Sequence, residues 1–181
     1  MTTSLIKPRI DVSFDIAQVS NQLVWSVDDT NAHPKSGRYA GGVRFFKGET
    51  LDFNLTATGN ALLYPEFQVQ ILECTILTRP QIIAMDELLD VATYARPSLF
   101  VGPDLAARLI TDINPKGHPH VIDGFRHLHF QRQNALTVGQ HNGRWELSLY
   151  VTVLITNGPG GQPFLRVYTF DPESEVGNGT R

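Results

Sequence analysis

The chain has a single cysteine, Cys74, among 181 residues. One thiol makes no internal disulfide and rules out a cysteine-based zinc site. Its setting, "QILECTIL", is apolar and strand-like, so the expected state is a buried, unreactive thiol. Charge of either sign is sparse: 15 Lys and Arg stand against 18 Asp and Glu, a formal net charge of −3. Without a basic field, neither nucleic acid nor an anionic membrane surface is an expected partner. No apolar run reaches the roughly 18–20 residues that a membrane helix needs. Near the start, Lys7, Pro8 and Arg9 interrupt any secretory apolar region, which implies a protein made and kept in the cytoplasm. The sequons at Asn54 and Asn178 are then chance matches.

Catalytic signatures are lacking too. There is no G-x-S-x-G, no P-loop, and no G-x-G-x-x-G after a strand. "GPGGQP" is glycine-rich, but it joins two alternating segments rather than opening a helix, so it lacks the helix terminus that binds phosphate. The serines fall in no visible Ser/His/Asp arrangement. A non-enzymatic protein is the expectation.

What the chain does have is period-two alternation, which places successive side chains on opposite faces of a strand. In "RWELSLYVTVLIT", Trp145, Leu147, Leu149, Val151, Val153 and Ile155 share one face. Glu146, Ser148, Tyr150, Thr152 and Thr156 share the other, and only Leu154 breaks the polar side. "NGPGGQP" marks a hairpin loop and "FLRVYTF" its partner strand. "RIDVSFDI" alternates Ile10, Val12, Phe14 and Ile16 against Asp11, Ser13 and Asp15. "TLDFNLTA" turns Leu51, Phe53, Leu55 and Ala57 inward. In "EFQVQILECTIL" the apolar set runs Phe67, Val69, Ile71 and then shifts to Leu72, Cys74, Ile76, which predicts a β-bulge.

The middle of the chain reads differently. Ile82, Met85, Leu89 and Ala92 suit one helical face, and Leu105, Ala106, Leu109, Ile110 and Ile113 suit another. A helical or irregular insert is therefore expected at about residues 80–117. The whole chain, 1–181, is expected to form one all-β domain: an antiparallel β-sandwich, jelly-roll or Ig-like, carrying that insert.

Two groups of residues could carry chemistry. "GHPHVIDGFRHLHF" holds four of the six histidines, in two His-x-His pairs nine residues apart. A turn at Asp123-Gly124 could bring His118 and His120 across to His127 and His129, and four imidazoles could hold zinc or copper. Against this, Arg126 and Arg132 flank the second pair, and Asp123 is the only acid inside the segment. The structural alternative is a polar outer face, with Leu128 and Phe130 packing inward. The second group is the acidic loops. Asp28, Asp29 and Asn31 in one, and Asp171 and Glu173 in another, supply the oxygen donors that calcium prefers. Neither matches the EF-hand spacing, and solvated turns explain both. Tyr39, in a loop, is the aromatic placed to stack on a carbohydrate, with Tyr64 and Tyr94 as others. Trp25 and Trp145, on strands, belong in the core.

The C-terminal segment, "WELSLYVTVLITNGPGGQPFLRVYTFDPESEVGNG", resembles the closing segment of the AidA/PixA-like inclusion-body protein family. The likeness rests on a long alternating strand, a polar turn, an aromatic-rich strand, the Asp171-Pro172 step after Phe170, and Val176. Ile10, Asp11 and Val12 are similar to the family's opening strand, and "FKGETLDFNLTATGN" to its central turn into a strand. The histidine-rich segment has no counterpart there. The resemblance covers about half of the chain, in pieces. It implies a small bacterial β-sandwich without catalytic residues, linked to intracellular inclusion bodies and to self-association as a homo-oligomer. A carbohydrate- or small-ligand-binding module, lectin-like and calcium-dependent, is the alternative, and a histidine metal site is a further one.

Overall fold

The structure is a computed structural model that describes residues 8–27, 45–86, 91–94, 96–102, 107–140, 143–170 and 175–177. In chain order the strands are β1 (Arg9–Asp15), β2 (Val24–Val27), β3 (Thr50–Asn60), β4 (Phe67–Pro80), β5 (Ile82–Asp86), β6 (Val91–Tyr94) and β7 (Ala107–Leu109). They continue as β8 (Asn114–Pro115), β9 (His120–Ile122), β10 (Phe125–Thr137), β11 (Arg144–Asn157), β12 (Phe164–Phe170) and β13 (Glu175–Gly177). The first sheet runs β2-β1-β3-β10-β8, with β9 on the same edge of β10 as β8. The second runs β12-β11-β4-β7, with β13 beside β11. β5 and β6 form a separate antiparallel pair.

The alternating residues do what their period requires. Ile10, Val12 and Phe14 of β1, Leu51 to Ala57 at alternate positions of β3, and Trp145 to Ile155 at alternate positions of β11 are all buried in one core. The two large sheets face each other across it. Phe14 of the first sheet stacks on Tyr168 of the second at 4.2 Å, and Trp25 stacks on Phe170 at 5.2 Å. The Trp145 indole N–H donates to the Arg96 carbonyl at 2.6 Å, so its one polar atom is satisfied inside the core.

Three details differ from the sequence expectations. β1 pairs with β3 in parallel, Arg9 opposite Asp52 through Asp15 opposite Thr58, so the architecture is not purely antiparallel. A parallel neighbour needs a crossover of a dozen or more residues, and the stretch between β1 and β3 is long enough to provide one. Next, the bulge in β4 falls where the phase changes: Thr152 faces Glu73 and Val153 faces Ile71, leaving Leu72 as the extra residue. Leu72 points outward, 49% exposed, rather than joining Cys74 and Ile76 in the core. Finally, no described residue is helical, and so none forms a membrane-spanning helix. Ile82, Met85 and Ala92 lie on β5 and β6, and Leu109 on β7. Short apolar runs fit either period, and β-branched Ile82, Ile83, Val91 and Thr93 favour the strand. Leu89, Leu105 and Ala106 lie outside the described residues.

Candidate functional site

β9 and β10 build the histidine site. Asp123 and Gly124 connect them with φ of 50° and 80°, the left-handed pair that a two-residue hairpin turn needs. Glycine reaches that region without a Cβ clash, and aspartate is among the few other residues that tolerate it. Ile122 then pairs with Phe125, and His120 with His127. Along β10, Phe130 turns into the core, where Leu128 also packs, and alternation leaves His127 and His129 on the outer face.

The hairpin carries His120 across to the other two. Ring centroids lie 5.5 Å apart for His120 and His127, 4.8 Å for His120 and His129, and 6.1 Å for His127 and His129. The Nε2 atoms of His120 and His129 are 3.3 Å apart. On its other side, His129 Nδ1 lies 3.0 Å from the hydroxyl of Thr56, its cross-strand partner on β3. His118 precedes β9, is exposed, and lies outside the stack. The planes of the three rings are within 22° of one another, so their nitrogen lone pairs lie in nearly parallel planes. Among the described residues, no group of three or more His, Cys, Asp or Glu side chains is arranged as a ready metal cage.

Burial pushes the His129 imidazole pKa below its ordinary value, and the positive charge of protonated His120 and His127, with that of Lys116, pushes it further the same way. Lys116 sits close because its N–H donates to the His129 carbonyl at 2.7 Å. The flanking arginines are not on this face. In register, Arg126 stands opposite Gly59 and Arg132 opposite Phe53, both on the core-facing side of β10.

Arg126 instead borders a cleft of about 340 Å³ between the sheets, walled by Phe67, Val69, Leu128 and Phe130. Its guanidinium lies 5.8 Å from the centre of the Phe67 ring, and its buried Nε has no hydrogen-bond partner. Neither Thr56 nor this cleft was signalled by a motif. Thr56 could have been found only from the β3–β10 register, which no local pattern encodes.

The other candidates are elsewhere. Asp28, Asp29, Asn31, Tyr39, Asp171 and Glu173 lie outside the described residues, and with them the whole calcium and lectin expectation. Tyr64 is partly buried and packs on the core. Cys74 is buried, and desolvation, helped by the Glu73 charge, pushes its thiol up to about 12. Comparison of the chain with family models, with curated proteins and with solved structures gives no match.

Proposed function

We propose that the protein is a non-enzymatic, cytoplasmic β-sandwich of the jelly-roll or Ig-like kind that self-associates through the outer edge of β12. One observation carries this. At Thr169 the backbone N–H and C=O point away from β11 and bond to Asn21 and Leu23. The period of two turns the backbone groups of Leu165 and Val167 the same way. No hydrogen bond among the described residues reaches those groups, although the Arg166 side chain between them donates to the Gln18 and Val19 carbonyls, so the open stretch of the edge is short. The side chains of Leu165 and Val167 are also 58% and 46% exposed. An apolar strand edge with free donors and acceptors is a template for another strand, and a second copy of β12 in antiparallel alignment fills it symmetrically. The resemblance to AidA/PixA-like inclusion-body proteins supports the same direction.

Light scattering on the purified chain should give a mass above that of the monomer, rising with concentration. Leu165→Pro removes one outward N–H without touching the β11 ladder, and Val167→Lys puts a charge on the edge. Both should shift the population to monomer. A wild-type chain that stays strictly monomeric at high concentration would overturn the proposal.

The cleft beside Arg126 supports a second reading, a small-ligand module. A cation with a free buried N–H above apolar walls suits a compact carboxylate with a hydrocarbon body. Arg126→Leu should abolish saturable binding of a short fluorescent fatty acid. No saturable binding to the wild type would remove this reading.

A further inference from the structure

We propose that His120, His127 and His129 form a binding site for a divalent transition-metal ion of the zinc or copper type on the outer face of the first sheet. Three imidazoles are one of the ligand sets that hold such an ion while leaving a further position to water. The sheet supplies the placement: His120 is the direct cross-strand neighbour of His127, and His129 follows two residues later on the same face. Two nitrogens each about 2.0–2.1 Å from a tetrahedral zinc stand about 3.3–3.4 Å apart. The Nε2 atoms of His120 and His129 are 3.3 Å apart.

Tautomer control is also in place. When His129 donates its Nδ1–H to the Thr56 hydroxyl, 3.0 Å away, its Nε2 keeps the lone pair. Such an outer hydrogen bond is the usual way a metal-binding imidazole is oriented. Without metal, the Nε2–H of His120 can donate to the His129 lone pair at 3.3 Å, and a bound cation would take the place of this proton. The third ligand needs movement: the His127 ring is stacked within 9° of His120, its centroid 5.5 Å away, so its side-chain torsions must rotate on binding to turn a nitrogen toward the ion. His120 is exposed and His127 partly so, which leaves room for that rotation and for water ligands.

Local charge permits a cation. Arg126 and Arg132 stand on the opposite face of β10. Asp15 shares the outer face with the histidines two strands away, as does the Arg9–Asp11 ion pair, whose charges offset each other. Lys116 is the opposing charge within reach. Self-association through β12 involves the other sheet, so the site neither requires it nor depends on it.

The test uses the full chain without a histidine tag, stripped with chelator, loaded with zinc or cobalt(II), and separated from free metal by gel filtration. Mass spectrometry of bound metal should find one equivalent per chain, in monomer and oligomer fractions alike, and the cobalt form should show visible absorption bands of a nitrogen-ligated ion. His120→Ala and His129→Ala should each weaken binding at least tenfold, and His127→Ala should weaken it too. Thr56→Val should lower affinity about 10–100-fold while leaving all three ligands. His118→Ala should bind as the wild type does. If His129→Ala fails to fold, His120→Ala, on an exposed three-residue strand, carries the test. A wild type that retains no metal, or equal metal content in the His118, His120 and His129 variants, overturns the proposal.

Discussion

His129 has the richest surroundings of any histidine in the stack, and they act on its protonation. Its pKa is lowered from 6.5, first by burial and then by His120, His127 and Lys116. The unfolded chain therefore takes up this proton more readily than the folded one. The sign follows: native stability is unaffected above about pH 6.5 and declines as pH falls through the lowered pKa of His129. In chelator, denaturant melts should show that decline, and His129→Gln should flatten it. Cys74 makes the opposite kind of residue. With a thiol held up at about 12, it should stay unreactive to a disulfide reagent at neutral pH and react with one equivalent only on unfolding. Its burial was legible in "QILECTIL". The convergence of the histidines was legible in part, because Asp123-Gly124 signals a tight turn and the turn dictates which histidines meet. The exclusion of His118 was not, since it depends on how β8 and β9 share one edge of β10. The facing of Arg126 was legible in the alternation that turns Leu128 and Phe130 inward, because Arg126 shares their parity; adjacency in sequence to the histidines hid it.

Among the strands, β4 shows how much a single residue controls. Leu72 has no partner on β11, and the apolar set is in phase on either side of it. Deleting Leu72 makes the ladder regular and keeps Phe67, Val69 and Ile71 on the same face as Cys74 and Ile76. Deleting Thr75 instead flips one half of the strand to the wrong face. Circular dichroism should show a cooperatively folding, β-rich protein for the first deletion and loss of the thermal transition for the second. The phase shift was readable because the strand is long and strongly alternating. The identity of the bulged residue was not, because Leu72 and Ile71 are equally apolar and only the register with β11 decides between them. The strands β5, β6 and β7 were hidden for a related reason. Each is five residues or fewer, and so short a run matches helical and extended periods alike.

The molecule as a whole depends on contacts between its two sheets. Tyr168 is fully buried against Phe14, and its hydroxyl reaches the Asp15 carbonyl only weakly, at 3.5 Å. Tyr168→Phe keeps the stack and should change stability by less than about 1 kcal/mol. Tyr168→Ala opens a cavity between the sheets and should destabilise by about 3–5 kcal/mol in denaturant melts. The outer faces differ as much as the inner ones agree. The first sheet presents Asp11, Asn54, Thr56, Thr58 and the histidines, with Val24, Ile122 and Phe125 exposed among them, whereas the second presents Tyr150, Leu165, Val167 and the bulged Leu72. The proposed metal site and the proposed association edge thus lie on different sheets.

The parallel pairing of β1 with β3 bears on how the chain is born. During synthesis β1, β2 and β3 emerge first and can assemble as a three-stranded unit, with β1 in the middle. The far edge of β3 then waits for β10, which begins 65 residues after β3 ends. Until those residues leave the ribosome, the nascent chain displays an eleven-residue open strand whose alternate side chains are destined for the core. A stalled or truncated product ending before Phe125 would carry that edge permanently. Such fragments, rather than the finished protein, are the ones that a cell's chaperones would have most reason to hold.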